Sequence, residues 1–225
     1  MNYLIQIAGI IDIEEAKMVM EAGADYLGFP LRLPVNKEDL SEVEAIEVIK
    51  QIPKPHKAVL ITYLDNAEEI ISFCDKLNVK IVQLHGEISK EELKKTKMLR
   101  PDIEIIKSLV VHNNNNLEEL KLTIKNLSEW VDAYITDTFD PETGASGATG
   151  KTHDWSISKE LVRISPKPVI IAGGLNPDNV RKAILEIRPS GVDVHTGVEA
   201  PDGRKSPELV KRFIEESKLA FSQLK

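Results

Sequence analysis

The sequence predicts an α/β fold, a closed (β/α)8 barrel of the TIM type in a single domain. Two observations carry that expectation. Short, β-rich apolar runs alternate with longer stretches of helical period, and eight such units follow one another without a long interruption. Each unit averages about 28 residues, close to a minimal strand, helix and two loops. In order, Tyr3–Ile7 precedes the helical stretch Ile13–Ala22, Tyr26–Phe29 precedes Leu40–Gln51, and Ala58–Tyr63 precedes Ala67–Leu77. Lys80–Leu84 then leads to Lys90–Met98, Glu104–Leu109 to Leu117–Leu127, and Ala133–Thr136 to Ser158–Ile164. The last two units pair Pro168–Ala172 with Pro177–Glu186 and Gly191–His195 with Pro207–Phe221. The strand runs show little polar alternation, as expected of a parallel sheet covered on both faces. An open dinucleotide-binding sheet is disfavoured, because Gly9-Ile10-Ile11-Asp12 lacks the Gly-x-Gly-x-x-Gly spacing.

Composition narrows the class further. The chain has 225 residues and a net charge of −7, which disfavours nonspecific nucleic-acid binding. No apolar run approaches the roughly 18 residues that cross a bilayer, and no secretory signal is expected, because Asp12, Glu14 and Glu15 follow the start closely. A single cysteine, Cys74, excludes an intrachain disulfide and is read as a packing residue on a helix. These features point to a cytoplasmic protein, as a monomer or a homodimer, with neither a nucleic acid nor a membrane as partner. No cofactor is expected, and no His/Asp/Glu cluster has metal-ligand spacing.

In such a barrel, chemistry gathers at the C-terminal ends of the strands. Gly23, Asn78, Pro101 and Glu186 then mark the opposite, stabilising face. The sharpest signal at the chemical face is glycine after the seventh and eighth strands: Ala172-Gly173-Gly174-Leu175-Asn176-Pro177 and His195-Thr196-Gly197-Val198-Glu199. Glycines let backbone N–H groups approach an anion, so Gly173, Gly174, Gly197 and Val198 are the expected phosphate grip. Asn176 and Pro177 read as N-cap and first residue of the seventh helix. The long Gly/Ser/Thr segment from Asp137 to Trp155 is read as a functional loop, a lid over the mouth. Asp137 at its start is a candidate general acid. His85 either polarises a substrate or hydrogen-bonds within the mouth, and His195 has a similar claim beside the glycines. His56, His112 and His153 read as surface or loop residues. The run Asn113–Asn116 reads as a solvated connection.

Several of these pieces also occur together, in order, elsewhere. Ile7-Ala8-Gly9-Ile10, Gly23-Ala24-Asp25-Tyr26-Leu27-Gly28-Phe29, Val82-Gln83-Leu84-His85-Gly86, Gly147–Trp155, Ala172–Pro177, Gly191–Val194 and Gly197-Val198-Glu199 span nearly the whole chain. With them the sequence resembles the phosphoribosylanthranilate isomerase family of tryptophan biosynthesis. The resemblance implies an Amadori rearrangement, in which an aminoaldose phosphate opens its ring and becomes an aminoketose phosphate. That reaction needs an acid for the ring oxygen and a base for the C2 proton. Asp137 matches the family's acid.

The sequence departs from the family pattern at the other position. Where the family carries its catalytic cysteine stands Ala8, and a methyl group takes no proton. Gln6 replaces a lysine, Leu33–Lys37 replaces a Ser-Pro-Arg segment, His195-Thr196-Gly197 replaces Ser-Ser-Gly, and Ala148 replaces the second loop glycine. Three readings follow: the isomerase with a substitute base, His195 or Asp193; a related isomerase or lyase on another phosphosugar; or a non-catalytic barrel that binds a phosphometabolite.

Overall fold

Eight strands run parallel and in sequence order round a closed barrel, the last hydrogen-bonded to the first. The computed structural model describes residues 3–34, 39–112, 116–138 and 154–224. Strands and helices alternate as β1 (Leu4–Ala8), α1 (Ile13–Ala22), β2 (Tyr26–Pro30), α2 (Glu42–Ile49), β3 (Lys57–Thr62), α3 (Ala67–Leu77), β4 (Ile81–Leu84) and α4 (Lys90–Leu99). They continue as β5 (Glu104–Val111), α5 (Leu117–Leu127), β6 (Ala133–Thr138), α6 (Trp155–Ile164), β7 (Val169–Ile171), α7 (Val180–Ile187), β8 (Gly191–Val194) and α8 (Pro207–Ser222). A single 3-10 turn, Thr196–Val198, lies between β8 and α8.

The two faces of each strand serve two different cores, which is why the strand runs read as apolar throughout. Ile5, Ile7, Leu27, Leu60, Val82, Ile105, Tyr134, Val192 and Val194 face outward and pack under the helices. The inward set is Ala8, Val59, Ile61, Ile81, Ile106, Ile135, Ile170 and Ala172, a separate aliphatic cluster inside the barrel. The same alternation turns Gln6, Gln83, Asp137 and Asp193 inward, where all four are buried.

Helix ends are fixed by short polar side chains. Asp12, Ser41, Asn66, Ser89, Asp154 and Ser206 each accept a backbone N–H at a helix start, and Ser41 with Glu44 completes a capping box. Gly23 and Asn78 close α1 and α3 in the left-handed conformation, at φ 98° and 55°. At this lower face Asp25 accepts the N–H of Ile5 (2.8 Å) and Asp132 that of Ile105 (2.7 Å), so each ties its own loop to the preceding strand.

Some boundaries differ from the sequence expectation, for local reasons. β6 runs to Thr138, two residues beyond the expected end, because Val110 and Val111 of a longer β5 pair with Asp137 and Thr138. Strand pairing therefore holds Asp137. α7 begins at Val180 rather than Pro177, because the Asn176 carboxamide oxygen takes the N–H groups of Asp178 and Asn179 and caps a turn there instead. The expected lid lies largely in residues 139–153, outside the described residues, as do Ala148, His153 and residues 35–38 and 113–115.

Asp132→Ala leaves the fully buried Ile105 without a partner for its N–H, and should cost about 1–3 kcal/mol of unfolding free energy. Urea denaturation of the two proteins checks this, with an unchanged m-value expected.

Candidate active site

β1, β4 and β6 bring one polar chain across an otherwise aliphatic barrel. Gln6 Nε2 donates to Gln83 Oε1 (2.9 Å), and Gln83 Nε2 lies 2.7 Å from His85 Nε2. His85 Nδ1 in turn lies 3.1 Å from Asp137 Oδ2. With Gln83 donating, His85 Nε2 is the acceptor and Nδ1 carries the hydrogen toward Asp137, so the chain selects one tautomer. The second oxygen of Asp137 accepts the Thr138 N–H (2.8 Å). The ring of Tyr63 lies against His85, centroids 5.8 Å apart. Burial and the charge of Asp137 push the Tyr63 hydroxyl up to about 12, so it stays protonated as a potential donor.

Asp193 occupies the same interior from the other side. Its residue pairs in register with Gln6, and its Oδ1 is buried without a partner among the described residues. Burial first, then the charge of Asp137, push its carboxyl up to about 7; hydrogen bonding from Gln6 and the Val194 N–H and the attraction of Lys205 offset part of that rise.

His195 does not join this chain. Its ring lies on Gly9, where a Cβ would overlap it, and Gly9 adopts φ 77°. The ring nitrogen Nε2 is 3.3 Å from Glu199 Oε1 and 3.7 Å from Asp39 Oδ2. Burial, with the nearby Lys205 ammonium, pushes the imidazole down to about 3. Lys205 itself bonds Glu199 Oε1 (2.7 Å) and the His195 carbonyl oxygen (3.2 Å), while its backbone N–H goes to Glu15 (2.7 Å). A partly buried ionic cluster thus braces the end of β8.

The glycine loops after β7 and β8 pack on one another. Gly173 and Gly174 adopt φ of 92° and 64°, and a Cβ on Gly197 would overlap the Leu175 carbonyl oxygen. Asn179 Nδ2 pins the first loop through the Gly174 carbonyl (2.9 Å). Among the described residues, the N–H groups of Gly173, Gly174 and Gly197 donate to no protein acceptor. Val198 is buried in the short turn that carries Gly197.

Several site features escaped the sequence reading. Gln6 and Gln83, 77 residues apart, form a pair that no local pattern reveals. Lys107 is buried with its ammonium on the Leu84 and Ser108 carbonyl oxygens (3.4 and 2.9 Å), and desolvation pushes it down to about 8; a lysine inside an apolar strand run was the available signal. Cys74 packs inside α3, its thiol pushed up to about 12 by burial.

Fold and site define a (β/α)8 barrel with polar groups gathered at the C-terminal ends of its strands and paired glycine loops beside them. Residues 5–216 match the family described as N-(5'phosphoribosyl)anthranilate (PRA) isomerase. A relative from Methanosarcina mazei, N-(5'-phosphoribosyl)anthranilate isomerase 2, is 34% identical over 98% of this chain and 96% of its own. The crystal structure of phosphoribosyl anthranilate isomerase from Thermotoga maritima superposes with a TM-score of 0.81 at 33% identity, covering 96% of this chain and 99% of that one. A phosphoribosyl anthranilate isomerase in complex with reduced 1-(o-carboxyphenylamino)-1-deoxyribulose 5-phosphate gives 0.79 at 30% identity, over 96% and 99%. The chain belongs to the phosphoribosylanthranilate isomerase family.

Gly9→Ala should destabilise the protein by about 1–3 kcal/mol, through a positive φ and the overlap with His195. In the His195→Ala background the same change should cost less, since the ring is gone, and a double-mutant cycle in urea measures the difference.

Proposed function

We propose that this single barrel domain isomerises N-(5'-phosphoribosyl)anthranilate to the aminoketose phosphate, as the proteins it resembles are named for doing. The observation that supports the reading most directly is the buried Asp137–His85 pair at the barrel mouth, on β6 and the end of β4, with the first glycine loop following the neighbouring β7. In this reading Gly173, Gly174, Gly197 and Val198 hold the 5'-phosphate with backbone N–H groups and the start of the short turn.

Asp137 hands a proton to the ribose ring oxygen, and the His85 Nδ1–H stays against the carboxylate that is left. The anthranilate nitrogen lone pair expels the ring oxygen from C1, giving an iminium and a free hydroxyl at C4. Loss of the C2 proton then gives an enolamine. Ketonisation adds a proton at C1, releases the one on the C2 hydroxyl and restores the acid. Protons balance, and no oxidant or cofactor enters. Gln83 and Gln6 position His85 and hold its tautomer.

A second reading, a related aldose–ketose isomerisation of another phosphosugar, draws on Ala8, whose methyl group cannot take up a proton. Turnover of freshly generated phosphoribosylanthranilate, followed by loss of anthranilate-type fluorescence, separates the two. The native chain should be active and Asp137→Asn should lose about 10²–10⁴-fold. Absence of turnover, with inorganic phosphate still raising Tm, would favour the second reading. Gly197→Ala, which forces the two loops apart, should raise KM about ten- to a hundred-fold with kcat less affected, the loss of one or two N–H bonds to a charged group.

A further inference from the structure

We propose that the carboxylate of Asp193 is the base that removes the C2 proton in this chain, a role that rests on the isomerase reading above. The acid side of the mouth is furnished by β4 and β6, so the acceptor is needed across the barrel, on β1 and β8. Ala8 closes β1 with a methyl group, and β7 turns only Ile170 and Ala172 inward. Among the described residues, the titratable or charged groups on that side are Asp193, His195 and the Lys205–Glu199 pair, with Asp39 and Glu15 behind them.

Geometry eliminates all but one. The His195 ring is seated on Gly9 with its Nε2 at Glu199, and its proton affinity is too low to keep a proton taken from carbon. Lys205 and Glu199 are bonded to each other at 2.7 Å, the two Glu15 oxygens accept the N–H groups of Ile11 and Lys205, and Asp39 lies against the His195 ring at 3.7 Å. Asp193 is different. It points into the barrel beside neutral Gln6, and one carboxyl oxygen is buried with no partner among the described residues. A buried acceptor left empty is costly unless something else occupies it. The charge of Asp137 across the barrel and the surrounding aliphatic wall give this carboxylate the basicity that proton abstraction near neutral pH needs.

In the step itself the C2–H bond breaks and its proton forms an O–H bond to Asp193. The electron pair becomes the C1–C2 double bond, and the iminium π pair returns to nitrogen. On ketonisation Asp193 returns the proton to C1, so it ends as it began.

The pH dependence follows from the sign of the shift. The base must be ionised, and its carboxyl is raised from 3.8 to about 7, so kcat/KM should fall tenfold per unit as pH drops below about 7. Asp193→Asn should lose about 10²–10⁴-fold while phosphate still raises Tm. Gln6→Lys sets an ammonium beside Asp193 and should move the acid limb down by about 1–3 units, a change that a merely structural Asp193 would not produce. It also decides the matter if Asp193→Asn fails to fold. An active native chain with Asp193→Asn equally fast, or with an acid limb that Gln6→Lys leaves in place, overturns the base and leaves the isomerase reading standing. A native chain that turns over no phosphoribosylanthranilate sinks both.

Discussion

Desolvation of a few polar side chains inside a closed aliphatic barrel is the constraint on which the rest depends. Gln6, Gln83, Asp137 and Asp193 share that interior with isoleucines, valines and alanines. There a partnered group is held rigidly and an unpartnered one has its chemistry altered, since the surrounding side chains exclude most of the water. The chain from Gln6 Nε2 through Gln83 and His85 to Asp137 is the partnered case and selects one His85 tautomer, while Gln6 Oε1 has no partner among the described residues. Asp193 is the other case. Its folded carboxyl binds a proton more tightly than the unfolded one, so stability falls as pH rises from about 4 to about 7. A residue that costs stability at neutral pH is expected at a working site, not in a scaffold.

The rim shows a division of labour between ionic and backbone groups. On the β1–β8 side, Lys205, Glu199, Glu15 and Asp39 form a partly buried cluster beside His195. Lys205 fixes the path of the chain as it leaves β8, through both the His195 carbonyl and Glu199. That path places Gly197 against Leu175, so the two glycine loops form one surface. His195 is therefore part of the support, and its position beside the glycines in sequence does not bring it to Asp137.

The fold was legible because the periodicities were clean. Every strand and helix was present where apolar runs and helical stretches alternated, and the lower face was marked by Gly23 and Asn78. Boundaries were less legible where a partner decides them: Asp137 lies inside β6 only because β5 continues to Val111, and Asn176 caps a turn instead of a helix. In the site, Asp137 and His85 stood out as polar residues ending apolar strands. The Gln6–Gln83 pair could not stand out, because closing the barrel is what brings the two together. Nor does sequence alone distinguish Asp193 from His195, two residues apart; whether each is buried, partnered or seated on a glycine is decided by packing.

The most direct measurement is the protonation of Asp193 itself, seen by infrared difference spectroscopy of the protein between pH 5 and 9 with Asp193→Asn as reference. The account predicts a protonated buried-carboxyl C=O band that disappears with a midpoint near 7 and is missing in the variant. A native protein without that band across the whole range, its carboxyl ionised at pH 5 as an ordinary aspartate is, would contradict it.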